Sequence, residues 1–172
     1  GYSPKDNKLI VVKSHTNQSD GAQPHKIQVD CVADNTAGGN SLDGKYFDID
    51  THGGGKTLIW FDHADSGTAE PSGTSGDAAY ADKIEVTQVN NNNSAEKVAI
   101  ALAFAINEDA GANITAEVNG SSVIITDAAN QAITTANIGA GDSGFSVYSI
   151  QTGITSGTAG SGNTDAFVLD MD

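Results

Sequence analysis

The sequence contains no arginine. Its eight basic residues are all lysines, set against 22 acidic ones, for a formal net charge of −14. Binding to nucleic acid needs clustered cations to neutralise phosphates, and the arginine fork is the commonest reader of base edges. A chain this acidic has neither, so nucleic acid is excluded as a partner, and so is an anionic membrane surface. Cysteine occurs once, at Cys31, which rules out a disulfide framework within the chain. Tryptophan also occurs once, at Trp60, and aromatics make up only 6% of residues, too few for a sugar-stacking platform. Long apolar runs are missing as well. The longest, "VAIALAFAI" at 98–106, is about half of the ~20 residues a membrane-spanning helix requires. The opening residues lack the charged-then-apolar pattern of a secretion signal.

What the chain does have is Gly, Ala, Ser, Thr and Asn between short apolar stretches, the texture of strands and turns. Its 172 residues suit one compact domain with extensions. In residues 1–42, "KLIVVKS" and "KIQVDCVA" are strand-like and would join a larger sheet. Lys26, Gln28 and Asp30 alternate there with Ile27, Val29 and Cys31, the period of a strand with one wet face. Residues 43–152 form the core and read as the strands "KYFDID", "KTLIWFD" and "KIEVTQV", one helix, then the strands "NITAEVNG", "SSVIITDA" and "GFSVYSIQ". Residues 153–172 begin as a flexible linker, "GITSGTAGSGNT", and end in "DAFVLDMD", an apolar strip between acids. Such a tail is expected to add a strand to a neighbour or dock in a groove, and to order only on assembly.

The helix is the clearest element. Ser94 is a natural N-cap, Glu96 favours the positive helix end, and Val98, Ala101, Leu102, Ala105 and Ile106 form one stripe. Ile100 and Phe104 fall off that stripe, so the helix is apolar nearly all round and calls for cover on more than one side. Asn119-Gly120, between "ITAEV" and "SSVII", predicts an antiparallel hairpin with a type I′ turn. The expected class is α+β, mainly β: antiparallel, sandwich-like sheets, a central helix at about 94–108, and extended N- and C-terminal arms.

Three motifs invite chemistry. The stretch "THGGGKTLIW" ends as a phosphate-binding loop ends, but Asp50 stands where the leading glycine belongs, and the β-branched and aromatic run after Lys56 is a strand rather than the required helix. A glycine turn between two strands is the better reading. The clusters "FDIDTHGG" and "FDHADSG" present Asp48, Asp50, Asp62 and Asp65 as weak candidates for adventitious calcium, beside His52 and His63. Ile59 occupies the position where an EF-hand needs its bidentate glutamate, and zinc spacing is absent. Cys31, alternating with Ile27 and Val29, reads as a small core residue rather than a nucleophile. No G-x-S-x-G elbow occurs, and a Ser-His-Asp set can be drawn only by free choice among abundant residues. The chain is therefore expected to be no enzyme and to need no cofactor.

The order "GKYFDID", "KTLIWFDHADSGTAEP", "ADKIEVTQV", "SAEKVAIALAFAINED", "ITAEVNGSSVIITDAANQ" resembles a module of bacteriophage structural proteins, over roughly residues 43–150. The resemblance rests on apolar spacing. It implies a non-enzymatic assembly role in a virion assembled in the host cytoplasm, foremost that of a decoration (cement) protein on the capsid exterior, which bridges capsomers and stabilises the head. Its partners would be the major capsid protein and copies of itself, most simply a homotrimer. A tail-tube or tail-completion subunit, whose acidic lumen lets DNA slide, is an alternative, and a glycan-binding or adhesive fibre module is another. The interface candidates are Val98, Ile100, Leu102 and Phe104 on the helix, with Phe167, Val168 and Leu169 in the tail.

Overall fold

A computed structural model describes residues 2–3, 8–15, 22–35, 38–39, 41–51, 55–63, 67–68, 70–71, 80–109, 113–129, 142–154 and 163–170. The elements are β1 (Tyr2–Ser3), β2 (Lys8–His15), β3 (Lys26–Asp30), β4 (Tyr46–Thr51), β5 (Gly55–Phe61), β6 (Tyr80–Val86), α1 (Ala95–Glu108), β7 (Ile114–Asn119), β8 (Ser122–Asp127), β9 (Ser146–Gln151) and β10 (Asn163–Asp170). The chain is mainly β with a single helix among the described residues, as the sequence predicts. That helix is too short to cross a membrane.

Seven of the strands make two sheets that share the core. The first has the order β7-β8-β3-β9 and is antiparallel throughout. Its alternation is the one written in the sequence: Ile27, Val29, Val123 and Ile125 are buried, while Lys26, Gln28, Ile124 and Thr126 are only half-buried. The second sheet has the order β4-β5-β6. β4 and β5 form the expected hairpin, closed by the pairing of Thr51 with Gly55. β6 runs parallel to β5, which corrects the expectation of purely antiparallel sheets. A parallel neighbour needs a connection of a dozen or more residues to return to the starting end, and residues 62–79 supply it. Thr57 to Phe61 are all buried, the unbroken pattern of a strand covered on both faces.

The third glycine of the "GGG" run has a packing role. A Cβ on Gly55 would lie 2.8 Å from the Cβ of Ala81, so the close approach of β5 and β6 requires glycine there. The β7–β8 hairpin also departs in detail from its prediction. Its loop is Gly120-Ser121, with Asn119 paired to Ser122, and only Gly120 has positive φ, at 61°. Glycine first in a two-residue loop is the type II′ pattern rather than type I′. Asn119 remains in its strand, paired with Ser122.

α1 begins at Ser94, whose hydroxyl accepts from the Lys97 N–H at 3.4 Å. It packs against β7 and β8 of the first sheet and β6 of the second. Val98, Leu102 and Ile106 are completely buried in this position, each contributing about 1.5–3 kcal/mol of burial. Near its end, the Asn107 side chain donates to the Ala116 carbonyl at 2.9 Å and accepts from the Ala116 N–H at 2.8 Å. One amide thereby satisfies both outward backbone groups of an edge residue. Phe145, just before β9, packs on Phe61 at 5.5 Å and Phe47 at 5.7 Å, joining the first sheet to the second.

β2 and β10, read from sequence as strand-forming piece and flexible tail, pair with each other along their whole length, with β1 on the far side of β2. The apolar strip after Asp165 meets the apolar run after Lys8, an attachment that a search for local structure within the tail does not reveal.

Leu102→Ala should cost about 2–5 kcal/mol in denaturant unfolding, while Ile100→Ala, two residues away and exposed, should stay within about 0.5 kcal/mol. Gly55→Ala should lose about 1–3 kcal/mol by overpacking, and Ala81→Gly in the same chain should recover part of that loss; failure of the second change to help would remove the steric explanation.

Candidate functional site

Of the side chains that suggested metal binding, Asp48 and Asp62 are engaged in holding the fold. Asp48 lies 3.4 Å from both Lys56 Nζ and the Tyr80 hydroxyl. Asp50 is buried. Asp62, also buried, accepts from the N–H groups of Gly67 at 3.0 Å and Thr68 at 3.4 Å, fixing the turn after β5. Asp48 is paired with Leu58, and Asp62 stands four positions beyond Leu58, just past the end of β5, roughly 13 Å away at the usual strand rise. Asp65 and His52 lie outside the described residues. Among the described residues, no group of three or more His, Cys, Asp or Glu converges on a cation position.

His63 and His25 each have a defined place. His63 Nε2 is 3.1 Å from Asp34 Oδ2, and buried Asp34 also accepts from the Leu42 N–H at 2.9 Å. The His63 N–H and the Thr68 hydroxyl both donate to Asp43. These bonds tie the loops on either side of β4 and β5 together. His25 is buried where the chain enters β3. Its Nδ1 accepts from the Gly153 N–H at 3.2 Å, and its Nε2 is 3.0 Å from the Ser149 hydroxyl. An Nδ1 that accepts is unprotonated, so the ring is neutral with its proton on Nε2. Burial pushes its pKa below the ordinary value, opposed by the nearby negative charge of Asp127. Cys31 belongs to the core, and burial, reinforced by the charge of Asp30, pushes its thiol up to about 12. It stays protonated and inert, as a packing residue should.

A polar cluster lies on the outer face of the first sheet. Asp30 accepts from Gln28 at 2.7 Å, Ser122 at 2.7 Å and Tyr148 at 3.1 Å. Those bonds, led by Gln28 and Ser122, hold its carboxyl below the usual range. With its partners satisfied, the cluster fastens β9 to β3 and β8.

The sequence candidates on α1 divide into two classes. Val98 and Leu102 are completely buried within the chain, which removes them as contacts for a partner: they form the stripe that covers the sheets. Ile100 is 57% and Phe104 48% exposed. Each borders a groove between α1 and the chain around β6. One, of about 370 Å³, lies between Phe104, Ala105 and Glu108 on the helix and Lys83 and Glu85 on β6; the other lies between Ile100 and Lys97 on one side and Gln88 and Asn90 on the other. A second apolar patch, absent from the sequence candidates, is on β9, where Tyr148 and Ile150 are exposed. Tyr148 is paired with Gln28 on the side of the first sheet opposite to the buried Val29. The apolar surface is thus presented on both sides of that sheet. The alternation in "SVYSIQ" carried the signal, but it does not tell which face is covered. Phe167, Val168 and Leu169 stand opposite Val11, Ile10 and Leu9 in the β2–β10 ladder.

Comparison of the chain with protein-family models, curated proteins and solved structures finds no match.

The His25 site has a defined pH signature. Its folded pKa is lowered from 6.5, so below that pH the unfolded chain takes up a proton that the folded chain resists. The stability tied to His25 is complete above about 6.5 and declines as pH falls toward the lowered value. Unfolding measured between pH 7 and 5 should show a steeper loss for the native chain than for His25→Gln; equal slopes would assign the pH dependence elsewhere.

Proposed function

We propose that this chain is a non-enzymatic structural subunit of a bacteriophage virion, a decoration protein on the head exterior that bridges capsomers. Its partners in this reading are the major capsid protein and further copies of the chain, arranged as a homotrimer. The observation that carries the reading is the exposed pair Ile100 and Phe104 on a helix whose other side is already buried. Half-exposed large apolar residues beside grooves are surface that an assembly covers. Tyr148 and Ile150 supply a second such surface across the first sheet, and a bridging subunit needs two. The resemblance of residues 43–150 to phage structural modules supports the same assignment. The net charge of −14 keeps a free subunit soluble and away from nucleic acid before assembly.

The test is sizing of the purified chain with and without expanded phage heads that lack it. Saturable binding at a fixed ratio per capsomer is expected, and Ile100→Asp with Phe104→Asp should weaken it at least tenfold with little change in unfolding. Rings or tubes formed without any affinity for heads would replace this reading with that of a tail subunit.

A further inference from the structure

β2 and β10 are paired at eight successive positions, from Lys8 with Asp170 to His15 with Asn163. The register sets Leu9, Ile10, Val11 and Val12 opposite Leu169, Val168, Phe167 and Ala166. It also sets each lysine of β2 opposite an aspartate, Lys8 with Asp170 and Lys13 with Asp165. A slip of one position places Lys8 against Leu169 or Met171, and Lys13 against Thr164 or Ala166, losing both charge pairs. Cross-strand pairs of opposite charge favour their register, so these two segments are matched to each other specifically.

The ladder is also unlike the rest of the chain. Two lysines and two aspartates leave it formally neutral, in a protein of net charge −14. Neither strand takes a place in the two core sheets, and β1 covers only two positions of β2. By strand alternation, Leu9, Val11, Phe167 and Leu169 fall on one face of the ladder and Ile10, Val12, Ala166 and Val168 on the other. A pair of strands is marginal in water by itself, and one with apolar residues at both sets of alternating positions is stabilised by a covering surface on each face.

The roots of the two arms are neighbours. β3 pairs with β9, and beyond them Gln23 pairs with Ile154. From those residues, seven positions (16–22) lead to His15 and eight (155–162) lead to Asn163, lengths that can reach at most about 25 Å and about 29 Å respectively. The two strands are therefore separated from β3 and β9 by similar numbers of residues, and the register pairs the same residues whichever copy supplies the partner strand. Exchange of identical elements between copies is a low-cost route to association. On a chain of net charge −14, a neutral ladder is a segment through which copies can meet without bringing like charges together.

We infer that the β2–β10 ladder is a joint between copies of this chain: the C-terminal strand of one copy pairs with the N-terminal strand of another in the same register, so that each copy both gives and receives a strand. This does not rest on the virion reading, and its test involves no phage head. Val12 and Ala166 are opposite in register, so Val12→Cys and Ala166→Cys are made in separate full-length chains, mixed and oxidised. Cys31, buried and with its thiol at about 12, stays out of the reaction. A disulfide-linked heterodimer is expected, several-fold in excess of either homodimer. Leu9→Cys mixed with Ala166→Cys, three positions out of register, should give several-fold less. Equal yields from the two mixtures would mean random collision and overturn the inference. So would the absence of heterodimer when the double variant Val12→Cys/Ala166→Cys closes its disulfide within one chain.

Discussion

The structure depends on one act of burial, the placing of the Val98, Leu102 and Ile106 side of α1 against strands from two different sheets. β7 and β8 belong to one sheet and β6 to the other, so the helix is the common cover that makes a single core of them. A sheet with an apolar face and nothing packed on it does not persist in water. Phe145 repeats the arrangement on a smaller scale, by meeting Phe47 and Phe61 from the start of β9. Polar groups then hold the loops that these contacts bring together: Asp34 with His63, and Asp62 with the turn after β5.

That core also explains the surface. A short helix that must cover two sheets is apolar over most of its circumference, yet Ile100 and Phe104 remain outside because the sheets approach from the other side. Phe104 lies beside the acidic residues Glu85, Glu108 and Asp109. Apolar surface and charge of one sign thus lie side by side on the same face of the molecule.

Local features were legible in the sequence. Ser94 marked the start of α1, the alternation from Lys26 to Cys31 marked β3, and the aromatic strand after Lys56 refused the role of a phosphate loop. What escaped were relations between distant segments. Nothing within "KIEVTQV" reveals that it will lie parallel to β5, since direction is set by the path of residues 62–79. Val98 and Leu102 were grouped with Ile100 and Phe104 because an all-apolar helix does not declare which side its own sheets will take. The partnership of β2 with β10 joins segments at opposite ends of the chain. Only afterwards does the match of Lys8 and Lys13 with Asp170 and Asp165 become visible.

The Asn107 amide has a consequence for growth. An edge strand offers unpaired N–H and C=O groups as a template for another chain, and Ala116 on β7 has both of its outward groups taken by one side chain of the same molecule. At Ala116 the border of the first sheet is capped, and a strand added there would have to displace a pair of bonds before making its own at that position. Strand addition at Ala116 is thereby discouraged.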